Sequence, residues 1–336
     1  MTQIIEDINE IVNNENLFSP LKYSSVLITG ATGLIGSMLI RAISTANSRY
    51  SLGMKVFGQI RDFEKTKALF GENFQSVEFV TNPDIKCNYI IHTVSSTSSK
   101  FFIEHPVETI RVSVESTMAI LEIAKKNNAT VVYLSSMEQY GVPYESGQKV
   151  TEDIVGIINH LNIRSSYSES KRLCECLCAS YADEYSINVM IARLAQTFGA
   201  GCPLDDNRMP MQFARAAVEG HDIILHTDGK GIINFVYLTD AIIGILTLLK
   251  KGERGHAYNI CNDKETRTVR SIAELVANNV VGGNIRIIVE NHKNDIRYAP
   301  ENTMYLISEK MLGLGWKAKV GMSEAYSRLI RYIREA

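Results

Sequence analysis

With 336 residues, 45% of them hydrophobic and 21% charged, the chain has material for one large or two moderate cores, as an ordinary globular protein does. The formal net charge of −2, with both signs scattered and no basic run, offers no footprint for nucleic acid or for an anionic membrane, so the partner expected is a small molecule. The first ten residues carry acids where a signal peptide carries bases, and the apolar run 241–249 is too short to cross a bilayer, so a cytoplasmic location is expected.

Six cysteines include Cys174, Cys176 and Cys178, whose spacing of two on a helix turns neighbours to different faces and matches no zinc pattern. They are read as reduced structural thiols, and no metal site is expected.

Isoleucines 4, 5, 8 and 11 recur at helical spacing, which predicts an amphipathic helix over 2–14 within an N-terminal extension, 1–22. A buried strand over 25–29 then runs into Gly30-Ala-Thr32-Gly33-Leu34-Ile35-Gly36 and a helix to about 46. Strand, glycine turn and helix in this order suit a dinucleotide. The glycines allow a tight turn and close approach of backbone N–H groups to a pyrophosphate at the positive end of the helix. The next strand, 55–60, ends at Arg61-Asp62, where such folds place the group that meets the adenosine ribose. Asp62 would hold the ribose of NAD, whereas Arg61 would accept the 2′-phosphate of NADP.

Strands over 77–80 and 89–92 follow, and Thr93, Val94 and Ser95 are expected to present backbone to the cofactor. His92, inside an apolar run, is read as a packed, hydrogen-bonded imidazole without chemistry. A helix over 106–127 carries Ile110, Val114, Met118, Leu121 and Ala124 on one stripe, expected to cover the sheet. The strand over 130–135 delivers Ser136, Met137 and Glu138 at its C-terminal end, where open α/β sheets bind ligands.

Tyr167 and Lys171 are four apart, on one face of a helix whose Leu173, Leu177, Tyr181 and Tyr185 are expected to form its buried side. A neighbouring ammonium favours the phenolate of a tyrosine that otherwise titrates near pH ~10, so the pair makes a base usable near neutrality. A further strand over 188–194 completes a run of alternating strands and helices, the sign of a doubly wound α/β, Rossmann-like parallel sheet. Shorter elements follow, among them one strand over 232–236 and a helix over 269–280. The expected division is a dinucleotide-binding domain over 23–195, rejoined by 236–262, and a smaller α/β substrate lobe from 196–235 and 263–336.

Gly30-x-x-Gly33-x-x-Gly36, Ser136 and Tyr167-x-x-x-Lys171, in this order, resemble the extended short-chain dehydrogenase/reductase superfamily, in particular its NAD-dependent nucleotide-sugar epimerases, dehydratases and decarboxylases. Later markers are Arg193-Leu-Ala-Gln-Thr-Phe-Gly199, Phe235-Val-Tyr-Leu-Thr-Asp240, and the stretch from Asp295-Ile-Arg297 to Trp316. Locally the chain is most similar to UDP-glucuronate decarboxylases, through His92-x-x-Ser95-x-x-Ser98, Pro106-Val-x-Thr-Ile110, Gly156-x-x-Asn159 and Arg164-Ser-x-Tyr167-x-Glu169-x-Lys171-Arg172.

The resemblance implies a nucleotide-diphosphate sugar as substrate. It makes Tyr167 the base at the sugar 4-hydroxyl, Lys171 the group that lowers its pKa and holds the nicotinamide ribose, and Ser136 the hydroxyl that orients the sugar. Ser98 and Arg297 would contact substrate, Arg297 at the diphosphate. Glu138, two after Ser136, resembles the second acid/base of enzymes that eliminate water or carbon dioxide beside a transient C4 ketone. Relatives pair as homodimers through two helices, here those over 106–127 and 167–185.

Two positions depart from the decarboxylase pattern and a third from that of the dehydratases. Ile233 stands where an arginine is expected, Gln196 follows Ala195 where asparagine is usual, and Met137 replaces the aspartate of many 4,6-dehydratases. Lys100 or Arg208 would then replace the charge lost at 233, and Gln196 would alter the room around the sugar. Dehydration or decarboxylation is the expected second step. C4 or C5 epimerisation, a net NADP-dependent reductase and a non-catalytic dinucleotide sensor are the alternatives.

Overall fold

Apolar runs of four to seven residues separated by helices are joined in parallel, because each helix returns the chain to the same edge of the sheet. The computed structural model describes residues 2–71, 74, 76–95, 98–280, 282–283, 285–290 and 303–336. Helix α1 (Thr2–Val12) leads through a 3-10 stretch into β1 (Ser25–Thr29), α2 (Leu34–Arg49), β2 (Lys55–Gln59), α3 (Phe63–Phe70), β3 (Val77–Val80) and β4 (Tyr89–His92). Next come α4 (Ser99–Glu104), α5 (Pro106–Asn127), β5 (Thr130–Ser136), β6 (Lys149–Val150), α6 (Ser166–Glu184), β7 (Val189–Leu194) and β8 (Gln196–Phe198). The chain continues with α7 (Met209–Glu219), β9 (Ile223–Leu225), β10 (Ile232–Ile233), β11 (Phe235–Tyr237), α8 (Leu238–Lys251), β12 (Ala257–Ile260), β13 (Arg267–Thr268) and α9 (Val269–Glu274). It ends with β14 (Ile287–Val289), β15 (Tyr305–Leu306), α10 (Glu309–Gly313) and α11 (Met322–Glu335).

Seven strands form one parallel sheet in the order β12-β7-β5-β4-β1-β2-β3, the doubly wound α/β arrangement expected from the sequence. The order reverses between β1 and β4, and Thr29 is level with His92, so Gly30 and Thr93 leave the sheet side by side. A crevice at such a switch point is where open α/β sheets take ligands.

On one face of the sheet α2 and α8 bury Leu39, Ile43, Ile245 and Leu246 against Ile28 and Val132. On the other, α5 and α6 bury Leu121, Cys174 and Cys178 against Leu27, Ile90 and Val131. A separate cluster of Phe198, Phe213, Phe235 and Tyr326 joins α7 and α11, and Leu34 at the start of α2 touches it as well as the first core. Helix α1 is tied down by charge: Asp7, fully buried, accepts from Tyr237 Oη at 2.7 Å and lies 3.3 Å from Arg328. Among the described residues no helix is long and apolar enough to cross a membrane.

Two expected helix faces are corrected. On α5 the buried side is Thr109, Ser113, Thr117, Ile120, Leu121 and Ala124, while Ile110 and Met118 are exposed. Thr109 and Thr117 satisfy their hydroxyls on the carbonyls four residues earlier, at 3.0 and 2.7 Å, so these two polar side chains can be buried on the helix without losing a hydrogen bond. On α6 the buried side is Tyr167, Ser170, Lys171, Cys174, Glu175 and Cys178, while Leu173 and Tyr185 are exposed and Leu177 and Tyr181 half-buried.

The strand expected over 232–236 is two. Between β10 and β11 the buried Asn234 donates to Met304 O at 3.0 Å and accepts from Leu306 N at 2.8 Å, which breaks the alternation. The helix expected over 269–280 continues past α9 as a widened turn, Leu275–Val280.

The glycine turn packs closely on its own backbone. A Cβ on Gly36 would lie inside the carbonyl of Gly30, whereas one on Gly33 would sit 3.3 Å from the same oxygen. Gly36→Ala is therefore expected to lower unfolding free energy by at least ~2 kcal/mol, and Gly33→Ala by less than ~1 kcal/mol, in urea titrations of the two variants.

Candidate active site

The site is assembled where β5 and α6 end and begin. Ser136 closes β5, and its Oγ accepts the Glu138 N–H at 3.2 Å, which starts a 3-10 turn over Met137–Tyr140 and carries Glu138 past the sheet edge. The turn before α6, Ile163–Ser165, is capped by Asn162, whose side chain accepts from Arg164 N at 3.0 Å. One turn further on, Tyr167 is buried and stacked on Phe102, with centroids 5.4 Å apart and planes 14° from parallel.

Lys171 is 2% exposed and does not point at the phenol oxygen: its Nζ donates to Leu134 O at 2.7 Å and lies 4.9 Å from the Tyr133 ring centroid and 5.9 Å from that of Tyr167. Burial pulls its ammonium down to about 8, opposed by the charge of the neighbouring Glu175 carboxylate. The Tyr167 phenol is pushed well up, first by burial and then by the charge of Glu138, while the Ser136 and Ser95 hydroxyls and Arg208 pull it back. In the chain alone the Lys171 ammonium is bonded to a backbone carbonyl while burial raises the phenol. Desolvation outweighs a cation that is bonded elsewhere.

Glu138 itself is solvent-exposed past the sheet edge. Desolvation by the surrounding walls raises its carboxyl, and the Arg164 guanidinium opposes that rise.

Behind these residues lies a buried polar network. Arg193 forks onto Glu175 at 2.7 and 3.1 Å and also donates to Tyr140 Oη at 2.8 Å and Glu152 O at 2.8 Å. Tyr140 Oη in turn donates to Asn259 Oδ1 at 2.7 Å, and Ser135 Oγ to Glu175 at 2.5 Å. Burial and hydrogen bonding hold β5, β7 and β12 in fixed relation to the turn that bears Glu138.

Several expected cofactor residues do line the switch point. Gly30 takes φ +63°, and a Cβ there would meet Thr93 Oγ1 at 2.8 Å and Val94 N at 3.3 Å. Gly33 caps α2 with no side chain, so the first-turn N–H groups of Leu34 and Ile35, just after Thr32, face no side-chain acceptor. Thr93 Oγ1 donates to Thr29 O at 2.6 Å, and Ser95 Oγ and Gln196 Oε1 are buried without an aligned hydrogen bond. A bare glycine cradle beside orphaned polar atoms fits a dinucleotide and a polyhydroxyl substrate.

Others are engaged elsewhere. Asp62 accepts from Lys65 N at 3.1 Å through one carboxylate oxygen as the cap of α3, and both Asp62 and Arg61 are exposed at the end of β2. Ser98 caps α4, Lys100 is exposed on its first turn, and Arg208 forks onto Asp206 at 2.7 and 2.8 Å. Arg297 lies outside the described residues. His92 is packed as expected, with Nδ1 2.7 Å from Thr29 Oγ1 and its pKa lowered to about 3 by burial and by Lys171. An open groove of about 820 Å³ between the segment after α1 and residues 314–319 is distant from Tyr167 and contains none of these groups.

A doubly wound sheet with a glycine turn at its switch point and a tyrosine, lysine, serine and glutamate at its C-terminal edge defines a dinucleotide-dependent enzyme class. The family model for the NAD dependent epimerase/dehydratase family matches residues 26–261, and the chain belongs to that family. It is 30% identical over 317 residues to UDP-glucuronic acid decarboxylase 6 of Arabidopsis thaliana, covering 91% of this chain and 90% of that one. It is 27% identical over 350 residues to UDP-glucuronic acid decarboxylase 1 of Xenopus tropicalis, covering 99% and 80%. Among solved structures, UDP-glucuronic acid 4-epimerase from Bacillus cereus in complex with UDP-glucuronic acid and NAD superposes with a TM-score of 0.76 at 19% identity over 93% of this chain and 99% of that one. The dTDP-glucose 4,6-dehydratase of Bacillus anthracis in complex with NAD gives 0.73 at 19% identity over 93% and 97%.

Phe102, Arg164 and the Glu175–Arg193 pair escaped the reading of individual residues. Arg164, three before Tyr167, carried the one usable signal. Arg193→Met would strand the Glu175 carboxylate in the interior, and a loss of ~3–5 kcal/mol in chemical denaturation is expected, with the Glu175→Leu/Arg193→Met double variant recovering part of it.

Proposed function

We propose that the chain converts a nucleotide-diphosphate sugar by transient oxidation at sugar C4, with NAD or NADP held at Gly30–Gly36, and that Glu138 then serves a decarboxylation or dehydration beside the C4 ketone. The observation that carries this reading is the convergence of Ser136, Glu138 and Tyr167 at the sheet edge next to the switch point, with the Glu138 charge and the Ser136 hydroxyl both acting on the phenol. The names of the relatives, UDP-glucuronic acid decarboxylases, support it.

A bound nicotinamide supplies acceptance of the C4 hydride and its return. Tyr167 takes the proton of the 4-hydroxyl, Ser136 orients that hydroxyl, and the Lys171 ammonium, fixed on Leu134 O, holds a positive charge beneath the phenol ring. In decarboxylation the C5–C6 bond breaks, its electron pair enters the C4 enolate, and the Glu138 carboxyl gives its proton to C5. In dehydration Glu138 would remove the C5 proton and pass it to the 6-hydroxyl, which departs as water. A carboxyl raised by desolvation keeps its proton to higher pH than usual, which suits the first role.

A net NADP-dependent reductase is the second reading, favoured by Arg61, exposed at the end of β2 while Asp62 is occupied as a cap. Ile110 and Met118 of α5 with Leu173 and Tyr185 of α6 leave an apolar outer face, read here as the contact of a homodimer. Leu173→Glu is expected to halve the mass seen by light scattering.

Mass spectrometry of products from UDP-, dTDP-, GDP- and CDP-sugars, UDP-glucuronate included, separates the readings. Loss of carbon dioxide or water without added cofactor supports the first, an unchanged mass with altered retention an epimerase, and turnover only with NADPH the reductase. Tyr167→Phe is expected to lower turnover by ~10²–10⁴-fold while dinucleotide binding, followed by calorimetry, persists. Lys171 loses its charge as pH rises through about 8, so kcat/KM is expected to fall above that pH.

A further inference from the structure

Between Glu138 and Tyr167 the chain makes a long excursion, and its two legs are stitched together at the neck. Val142 N donates to Ile157 O at 2.9 Å, Ile157 N returns a bond to Val142 O at 2.8 Å, and Gly156 N donates to Tyr140 O at 3.1 Å. The legs approach so closely that a Cβ on Gly156 would lie 2.5 Å from Tyr140 O, and one on Gly141, at φ +69°, would lie 2.3 Å from Ile157 O. Both legs need glycine there.

Arg172, the residue after Lys171, closes this neck from the helix. Its Nε donates to Gln139 O at 2.6 Å, and one terminal nitrogen donates to Tyr140 O at 3.1 Å and to Gly156 O at 2.8 Å. Gln139 and Tyr140 lie on the outgoing leg, directly after Glu138, and Gly156 lies on the returning one. The other terminal nitrogen stands 3.9 Å from Glu169, three positions earlier on α6. A planar guanidinium with donors in a rigid fork fixes these carbonyls in one arrangement, which a point charge on a flexible stem does not. The neck is already closed by its own backbone bonds. What Arg172 adds is the attachment of the Glu138 turn to α6, the helix that carries Tyr167 and Lys171.

We propose that Arg172 is a positioning residue for the second proton transfer: by clasping both legs of the neck onto α6, it fixes the Glu138 carboxyl against the sugar that Tyr167 engages. This rests on the nucleotide-sugar reading above and adds the residue that makes the C5 step productive. Tyr167 stands on α6 itself and reaches the 4-hydroxyl without the clasp, whereas Glu138 reaches C5 only through the turn that the clasp holds. Loss of Arg172 therefore separates the two proton transfers, sparing the one at the 4-hydroxyl and slowing the one at C5.

The test uses the full chain as wild type, Arg172→Gln, Glu138→Gln and the double variant, with NAD or NADP and with UDP-glucuronate or UDP-glucose. Appearance of reduced nicotinamide in a single turnover reports C4 oxidation, and product formed in the steady state reports the whole sequence. Arg172→Gln should lower steady-state turnover by about 10- to 100-fold and leave C4 oxidation within about 3-fold, so that reduced nicotinamide builds up. In the Glu138→Gln background the same substitution should lower turnover by less than about 3-fold, because it acts through a carboxyl already removed. Equal losses in both rates, or losses that multiply in the double variant, overturn the proposal and leave the clasp a structural contact. If Arg172→Gln does not fold, Arg172→Lys decides: it should show the same build-up to a smaller degree, and an unchanged ratio of the two rates overturns the proposal. A wild type that returns only the C4 epimer overturns it with the nucleotide-sugar reading intact. A wild type that neither oxidises nor converts either sugar overturns both.

Discussion

A buried ammonium on α6 sets the terms for everything around it. Lys171 cannot remain charged in the interior without compensation, and three groups provide it: the Leu134 carbonyl at 2.7 Å, the face of Tyr133 at 4.9 Å and the negative charge of Glu175 one turn on. Glu175 is itself buried and needs Arg193, and Arg193 reaches on to Tyr140 and Glu152. The chain of obligations ends at Asn259, whose N–H donates to Glu152 Oε1 at 2.7 Å and whose side chain meets Val150 O and Ile307 O. Satisfying one lysine thus pins β5, β7, β12 and the short β6–β15 pair, and with them the turn that carries Ser136 and Glu138.

Burial is also the common cause of the electrostatics of the site. It raises the Tyr167 phenol and the Glu138 carboxyl and lowers the Lys171 ammonium, so each group is displaced toward its neutral form. A site whose groups are all desolvated responds strongly to any new charge, because the field of a ligand is little screened there. The phenol is the clearest case. Its ordinary partner for ionisation is bonded to a backbone carbonyl, so the hydroxyls of Ser136 and Ser95 and the charge of Arg208 are what favour the phenolate in the chain alone.

The parts of this fold that follow from local rules were readable in the sequence. Strand, glycine turn and helix at 25–49 obey backbone sterics that only Gly30 and Gly36 satisfy, and the alternation of elements dictates a parallel sheet. What was not readable depends on partners remote in the chain. Apolar stripes placed Ile110, Met118 and Leu173 inside, yet hydroxyls and thiols occupy those buried faces because their hydrogen bonds close within their own helices or on a neighbour, as with Cys174 Sγ and Ser113 O at 3.4 Å. Asp62 and Ser98 have the chemistry of ligand-binding residues and also that of helix caps, and capping is the role they take in this structure. Phe102 and Tyr167 meet across 64 intervening positions, a contact no periodicity encodes.

On the reading proposed here, the chain's own residues govern protons at two places, the 4-hydroxyl and C5, and nothing in that pair names the group that leaves. The outcome then depends on what the sugar presents at C6: a carboxylate departs as carbon dioxide, a hydroxyl as water, and a sugar offering neither returns unchanged or inverted. On that reading the choice of reaction moves from the catalytic residues to the walls that admit the sugar, for which the resemblance points to Ile233 and Gln196. Gln196 presents a buried Oε1 with no protein donor, and Ile233 is an uncharged, half-buried side chain packed on the second core. A pocket with an orphaned acceptor on one side and no cation at 233 discriminates by where it can pair charge.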